Sequence, residues 1–150
     1  MPQSLGALYV HVIFSTKDRT PCLPRAIRPD LRAYTAGTLR NLDCTLVDFN
    51  SLADHVHILC TLSRTLAIAK LLEEMKKASS KWLKPKAPAL RNFHWQNGYG
   101  AFSVSPSKVP EVRRYIDNQD EHHRKLTFQE EYRAFLERHG IAYDERYVWD

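Results

Sequence analysis

Glycine is scarce in this 150-residue chain, five in all, and the three cysteines are odd in number with no CxxC spacing. Scarce glycine excludes collagen-like and glycine-rich linker character, and eight prolines without a repeat or low-complexity run exclude a solenoid array. The cysteine pattern indicates neither a disulfide framework nor a cysteine zinc site, so Cys22, Cys44 and Cys60 are expected to be reduced and structural. No stretch approaches the roughly 18 to 20 apolar residues of a membrane span, and Met1-Pro2-Gln3-Ser4 does not begin a leader pattern. A soluble, cytoplasmic protein with no membrane partner is therefore expected. What is present suffices for one core: 43% hydrophobic content predicts a single domain over residues 1–150.

Positive charge exceeds negative, with 22 Lys and Arg against 17 Asp and Glu, a net +5 that suits a polyanionic partner without requiring one. Lys76, Lys77, Lys81, Lys84, Lys86 and Arg91 crowd together with Trp82, Phe93 and Trp95 among them. Phosphate contacts interleaved with stacking surfaces are what single-stranded nucleic acid needs. Lys76, Lys77, Lys81, Lys84, Arg91 and Trp95 are accordingly the candidate DNA-binding residues, although a solvated helix face followed by a loop has the same composition.

Hydrophobic periodicity orders the chain. Residues 6–15 read as a buried strand and 25–42 as a helix. Strands at 44–49 and 53–62 follow, joined by a turn at Asn50-Ser51. Residues 65–83 form an amphipathic helix that Pro85 and Pro88 end, and 99–105 a strand. Ser107 is a candidate N-cap for a helix over 108–123, and a last helix spans 128–138, stopped at Gly140. This order predicts an α+β fold of ferredoxin-like split βαβ type: an antiparallel sheet with helices on one face, plus C-terminal helices.

Two places carry chemistry. On the strand Asp54-His55-Val56-His57-Ile58-Leu59 a period of two puts both imidazoles on one face, half of a metal site. Alone, such a pair also fits a hydrogen-bonded structural feature. Farther on, Tyr115 and Gln119 lie four residues apart on one helix face, which is ordinary for an amphipathic helix. His122 and His123 read as a solvated helix end, His11 as structural.

In combination these segments resemble the HUH single-tyrosine transposases of the TnpA type, found in small bacterial insertion sequences and in REP-associated relatives. The likeness rests on Phe14-Ser15-Thr16-Lys17, the Asp54 to Leu59 strand, Trp95-Gln96-Asn97-Gly98-Tyr99-Gly100-Ala101-Phe102-Ser103-Val104-Ser105, and Tyr115-Ile116-Asp117-Asn118-Gln119-Asp120-Glu121-His122-His123, in family order across residues 8–123. The resemblance implies a homodimer acting on single-stranded DNA folded as a hairpin. It implies Mg²⁺ or Mn²⁺ held by His55, His57 and Gln119, and Tyr115 as nucleophile in cleavage and rejoining through a 5′-phosphotyrosine. A composite site between subunits is also implied. Residues 127–150 carry no motif tied to chemistry. The competing readings are a replication nicking enzyme, a domesticated or non-catalytic single-strand binder, and a structural metal-binding domain.

Overall fold

A computed structural model describes residues 2–150. Four strands, β1 (Tyr9–Ser15), β2 (Leu46–Ser51), β3 (His55–Thr61) and β4 (Gly100–Val104), form one antiparallel sheet in the order β2-β3-β1-β4. Helices α1 (Arg28–Asn41) and α2 (Ile68–Leu83) connect them, and α3 (Val109–Asp117), α4 (Gln119–His122) and α5 (Phe128–Arg138) follow the last strand. The element order and α+β class agree with the sequence pattern.

Alternation along β1 and β3 separates two cores. Val10, Val12, Phe14, Val56, Ile58 and Cys60 point to one face, where Leu31 and Leu39 of α1 and Leu71, Leu72 and Met75 of α2 cover them. On the other face, Ile13 and Phe102 meet Phe128, Tyr132, Phe135 and Leu136 of α5. Burying a large apolar side chain is worth about 1.5–3 kcal/mol, so these four anchors hold α5 to the sheet. Thr127 begins the helix with a reciprocal capping box to Glu130.

Several expected boundaries move. The first strand starts at Tyr9, and Leu5 and Leu8 before it are exposed. Asn50 and Ser51 belong to β2, and the turn falls at residues 52–54. The helix expected over 108–123 breaks at Asn118 (φ −96°, ψ 20°) into α3 and α4. The Gln119 side chain donates to the carbonyl of Tyr115 across this break. Ser107 does not cap: it lies in a 3₁₀ turn, and a proline in the first turn leads α3 instead.

Gly100 shows how closely α5 approaches. A Cβ there would lie 2.7 Å from Tyr132 Cε1 and 3.0 Å from Phe102 Cε2. Tyr132 is buried and cannot swing away. Gly100→Ala is expected to destabilise the fold by about 1–3 kcal/mol, read as a lower urea midpoint. An unchanged midpoint would mean that α5 docks less tightly than described.

Candidate active site

The sheet face that carries α5 also carries the histidines. His55 and His57 point from β3 toward α5, and both are buried. Glu131, one turn before Phe135, projects among them and is only 3% exposed, which is rare for an unpaired carboxylate and explained here by its partners. Its Oε1 lies 3.1 Å from His57 Nε2, 3.1 Å from His123 Nε2 and 3.5 Å from His55 Nε2. One donor atom from each of His55, His57, His123 and Glu131 falls within 4.8 Å of all the others, a spacing that a single cation spans.

The outer contacts orient the rings. His55 Nδ1 is 2.7 Å from Asp54 Oδ1, a carboxylate–histidine pair of the kind that turns the opposite nitrogen toward a metal. That opposite nitrogen, Nε2, is buried without a hydrogen bond, because Glu131 at 3.5 Å is too distant. A buried orphan imidazole nitrogen aimed into a cluster of ligating groups fits a metal ligand. His57 Nδ1 is in turn 2.9 Å from His11 Nε2. With a cation on Nε2 of His57, its Nδ1 would carry the proton and donate to His11.

Tyr115 on α3 completes the arrangement: its hydroxyl donates to Glu131 Oε2 in a short hydrogen bond. The nucleophile candidate and the histidine pair therefore meet through one carboxylate. Gln119 is also buried here, but its Oε1 sits 3.0 Å from His123 Nε2 and its amide holds the Tyr115 carbonyl. It borders the cluster and orients His123.

Burial and charge act together on these groups. Burial opposes ionisation of Glu131, yet the facing imidazoles of His123, His55 and His57 outweigh it and hold the carboxyl well below the usual range. His55 is likewise disfavoured as a cation by burial, but Asp54 and Glu131 raise it above its ordinary value. For His57 and His11 burial prevails and keeps both neutral. Burial, then the facing Glu131 charge, push the Tyr115 phenol far up, with Arg138 opposing.

The structure redistributes the sequence expectations. His123, expected at a solvated helix end, belongs to the cluster, and His11 is structural in a specific sense: it holds His57. Glu131 lay in the segment without a motif. Among the candidate DNA contacts, Trp95 is a core residue, buried edge-on against Phe14 and Phe93 with its indole N–H given to Ser79 Oγ. Lys76 Nζ donates to the carbonyls of Gln96, Asn97 and Gly98 at 2.8, 3.1 and 2.6 Å, and burial lowers its pKa to about 8. Lys84 donates to Phe93 O at 2.8 Å. These two lysines satisfy loop carbonyls that would otherwise lack donors. Lys77, Lys81 and Arg91 are exposed, and the two lysines sit on α2, across the sheet from the histidines.

The antiparallel sheet of this α+β fold thus brings a histidine pair, a buried carboxylate and a tyrosine to one point. Residues 4–119 match the model of the IS200-like transposases, and the chain belongs to that family. A structure of a Deinococcus radiodurans R1 protein assigned as a transposase aligns with a TM-score of 0.62 and 23% identity, over 79% of this chain and 98% of that one. A REP-associated tyrosine transposase bound to a REP hairpin aligns with a TM-score of 0.58 and 15% identity, over 82% of this chain and 72% of that one. At these identities the likeness establishes the fold. No curated protein matches the chain.

Proposed function

We infer that this transposase cleaves and rejoins single-stranded DNA, with Tyr115 as nucleophile and a divalent cation seated among His55, His57, Glu131 and His123. The observation that carries this reading is the link from the Tyr115 hydroxyl through Glu131 to the histidine pair. The hairpin bound by the REP-associated neighbour supports a folded single strand as partner. Three imidazoles and a carboxylate suit Mn²⁺ better than Mg²⁺ in simple affinity terms. Gln119 is the ligand that the resemblance implies, and its Oε1, 3.0 Å from His123 Nε2, is spaced so that both atoms can meet one cation.

A cation in this cluster supplies neutralisation of the charge that grows on the non-bridging phosphate oxygens. The chain's own groups do the rest. Tyr115 oxygen forms the bond to phosphorus while the bond to the DNA 3′-oxygen breaks; net, the phenol proton ends on the 3′-hydroxyl and the 5′ side stays on the protein. Glu131 fixes the direction of the phenol. Because its carboxyl lies well below the ordinary range, it orients the hydroxyl and is a poor resting place for the proton. In the return step a DNA 3′-hydroxyl displaces the phenolate, a better leaving group than an alkoxide, so rejoining needs no external energy source.

The homodimer implied by the resemblance finds no exposed apolar face in Phe128, Tyr132, Phe135 and Leu136, which are buried within the chain. Dimerisation stays part of the proposal on resemblance alone, and light scattering tests it. Nucleophile and ligand set already meet in one chain, so a composite site is not required by this geometry.

Incubation with single-stranded DNA from the flanks of the gene and Mn²⁺, then denaturing electrophoresis, should reveal a covalent adduct that EDTA prevents. Cleavage without adduct would point to hydrolysis by water. Separately, Mn²⁺ titration by calorimetry should give binding in the wild type and at least tenfold weaker binding in His57→Ala; equal affinity would remove His57 from the ligand set.

A further inference from the structure

The histidine–glutamate cluster is largely enclosed: His55, His57 and Glu131 are at most 3% exposed and the His123 side chain 12%, so a DNA strand approaches this chemistry through a neighbouring opening. One such opening is a cavity of about 490 Å³ between β4, α3 and the end of α5. Tyr115 forms part of its wall, and His11, which holds His57 by a 2.9 Å hydrogen bond, forms another part. The cavity therefore touches both the nucleophile and the support of a metal ligand.

Its chemistry is mixed in a specific way. Phe102 and His139 present an aromatic wall, their ring centroids 4.5 Å apart, with His139 exposed at the rim. Lys108 and Arg138 supply positive charge to its lining. Lys108 is partly neutralised by Glu111 at 3.3 Å, but Arg138 has no carboxylate partner among the described residues and packs its guanidinium 5.3 Å from the Phe135 ring centroid. A volume in the usual range of small-ligand sites, an aromatic surface and an unpaired guanidinium together match one nucleotide: a base to stack and a phosphate to pair. Arg138 and His139 lie beyond residues 4–119, so the matched family region does not include these two residues of the lining.

We propose that this cavity binds one deoxynucleotide of the single strand next to the cleaved phosphate, with the base against His139 and Phe102 and its phosphate on Arg138. The proposal rests on the reading of Tyr115 as nucleophile. The test uses full-length Tyr115→Phe protein, labelled with ¹⁵N, titrated with an equimolar mixture of the four 5′-deoxynucleoside monophosphates, with mixed-sequence tetradeoxynucleotides, and with inorganic phosphate. Saturable amide shifts should appear at residues 102–105 and 135–139, with tetranucleotides binding tighter than monophosphates and inorganic phosphate at least tenfold weaker than either. Arg138→Ala, a substitution at an exposed position, should weaken tetranucleotide binding at least tenfold. Shifts absent from these residues, equal affinity in Arg138→Ala, or phosphate binding as tightly as the nucleotides would overturn the proposal. Monophosphates binding as tightly as tetranucleotides would overturn the DNA assignment in favour of a free-nucleotide site. Localised nucleotide binding without any covalent adduct in the wild type would instead sink the cleavage reading and leave the cavity standing.

Discussion

Tyr115→Phe is expected to eliminate the covalent protein–DNA adduct, a loss of at least a thousandfold in its rate, while the protein stays folded. The substitution removes one oxygen. In the folded chain that oxygen donates to Glu131, whose carboxylate keeps its contacts to His57 and His123. Losing one such hydrogen bond costs about 1–3 kcal/mol, small enough to leave circular dichroism unchanged at room temperature. The rate effect is much larger because no other hydroxyl takes this position. Metal-activated water is a separate route to strand scission, so the adduct and the cut strand must be scored separately. Unfolding of the variant would make Tyr115 a packing residue first, and adduct formation at the wild-type rate would exclude it as nucleophile.

Glu131→Ala is expected to weaken Mn²⁺ binding by at least a hundredfold and to destabilise the metal-free protein by about 3–5 kcal/mol, the range for removing one side of a buried charged pair. Glu131→Gln keeps the volume and should recover part of the stability but little of the affinity. The pH dependence separates a charge effect from a packing effect. Glu131 is depressed in the fold, so its contribution is fully present above the unfolded carboxyl value near 4.5 and is lost as pH falls through and below that value. His57 and His11 are held neutral, so the unfolded state takes protons they refuse and stability declines as pH drops below about 6.5. His55 acts in the opposite sense: its contribution is present below that value and is lost as pH rises through its raised folded one. Urea midpoints should therefore fall from pH 7 to pH 4 in the wild type, and the gap to Glu131→Gln should narrow below pH 5. A gap constant with pH would mean that Glu131 stabilises by packing alone.

The histidine pair was legible because strand alternation allows no other placement of His55 and His57 once β3 is assigned. The last helix was legible to the residue, 128–138, because its apolar spacing and Thr127–Glu130 capping pattern agree. Its chemistry was missed although a sign was present: Glu131 stands three residues after Phe128 and four before Phe135, a charge on the apolar stripe of its own helix. A charged side chain on a buried stripe marks a polar partner across the interface, and here the partners are three histidines. His123 had the same kind of sign, four residues after Gln119 on the face of Tyr115. The basic, aromatic stretch 76–95 misled for a different reason. Composition does not tell which ammonium groups are needed by the protein's own carbonyls, and the loop after Trp95 takes all three donors of Lys76.

In the proposed reaction Tyr115 carries the DNA. Trypsin cuts after Arg114 and Arg124, so Tyr115 falls in the peptide 115–124, while Tyr99 falls in 92–108. Mass spectrometry of the wild-type adduct, digested with trypsin and nuclease, locates the nucleotide directly. A phosphonucleotide is expected on peptide 115–124, and its loss in Tyr115→Phe; the same mass increment on 92–108, or on any other peptide, would exclude Tyr115 as the nucleophile.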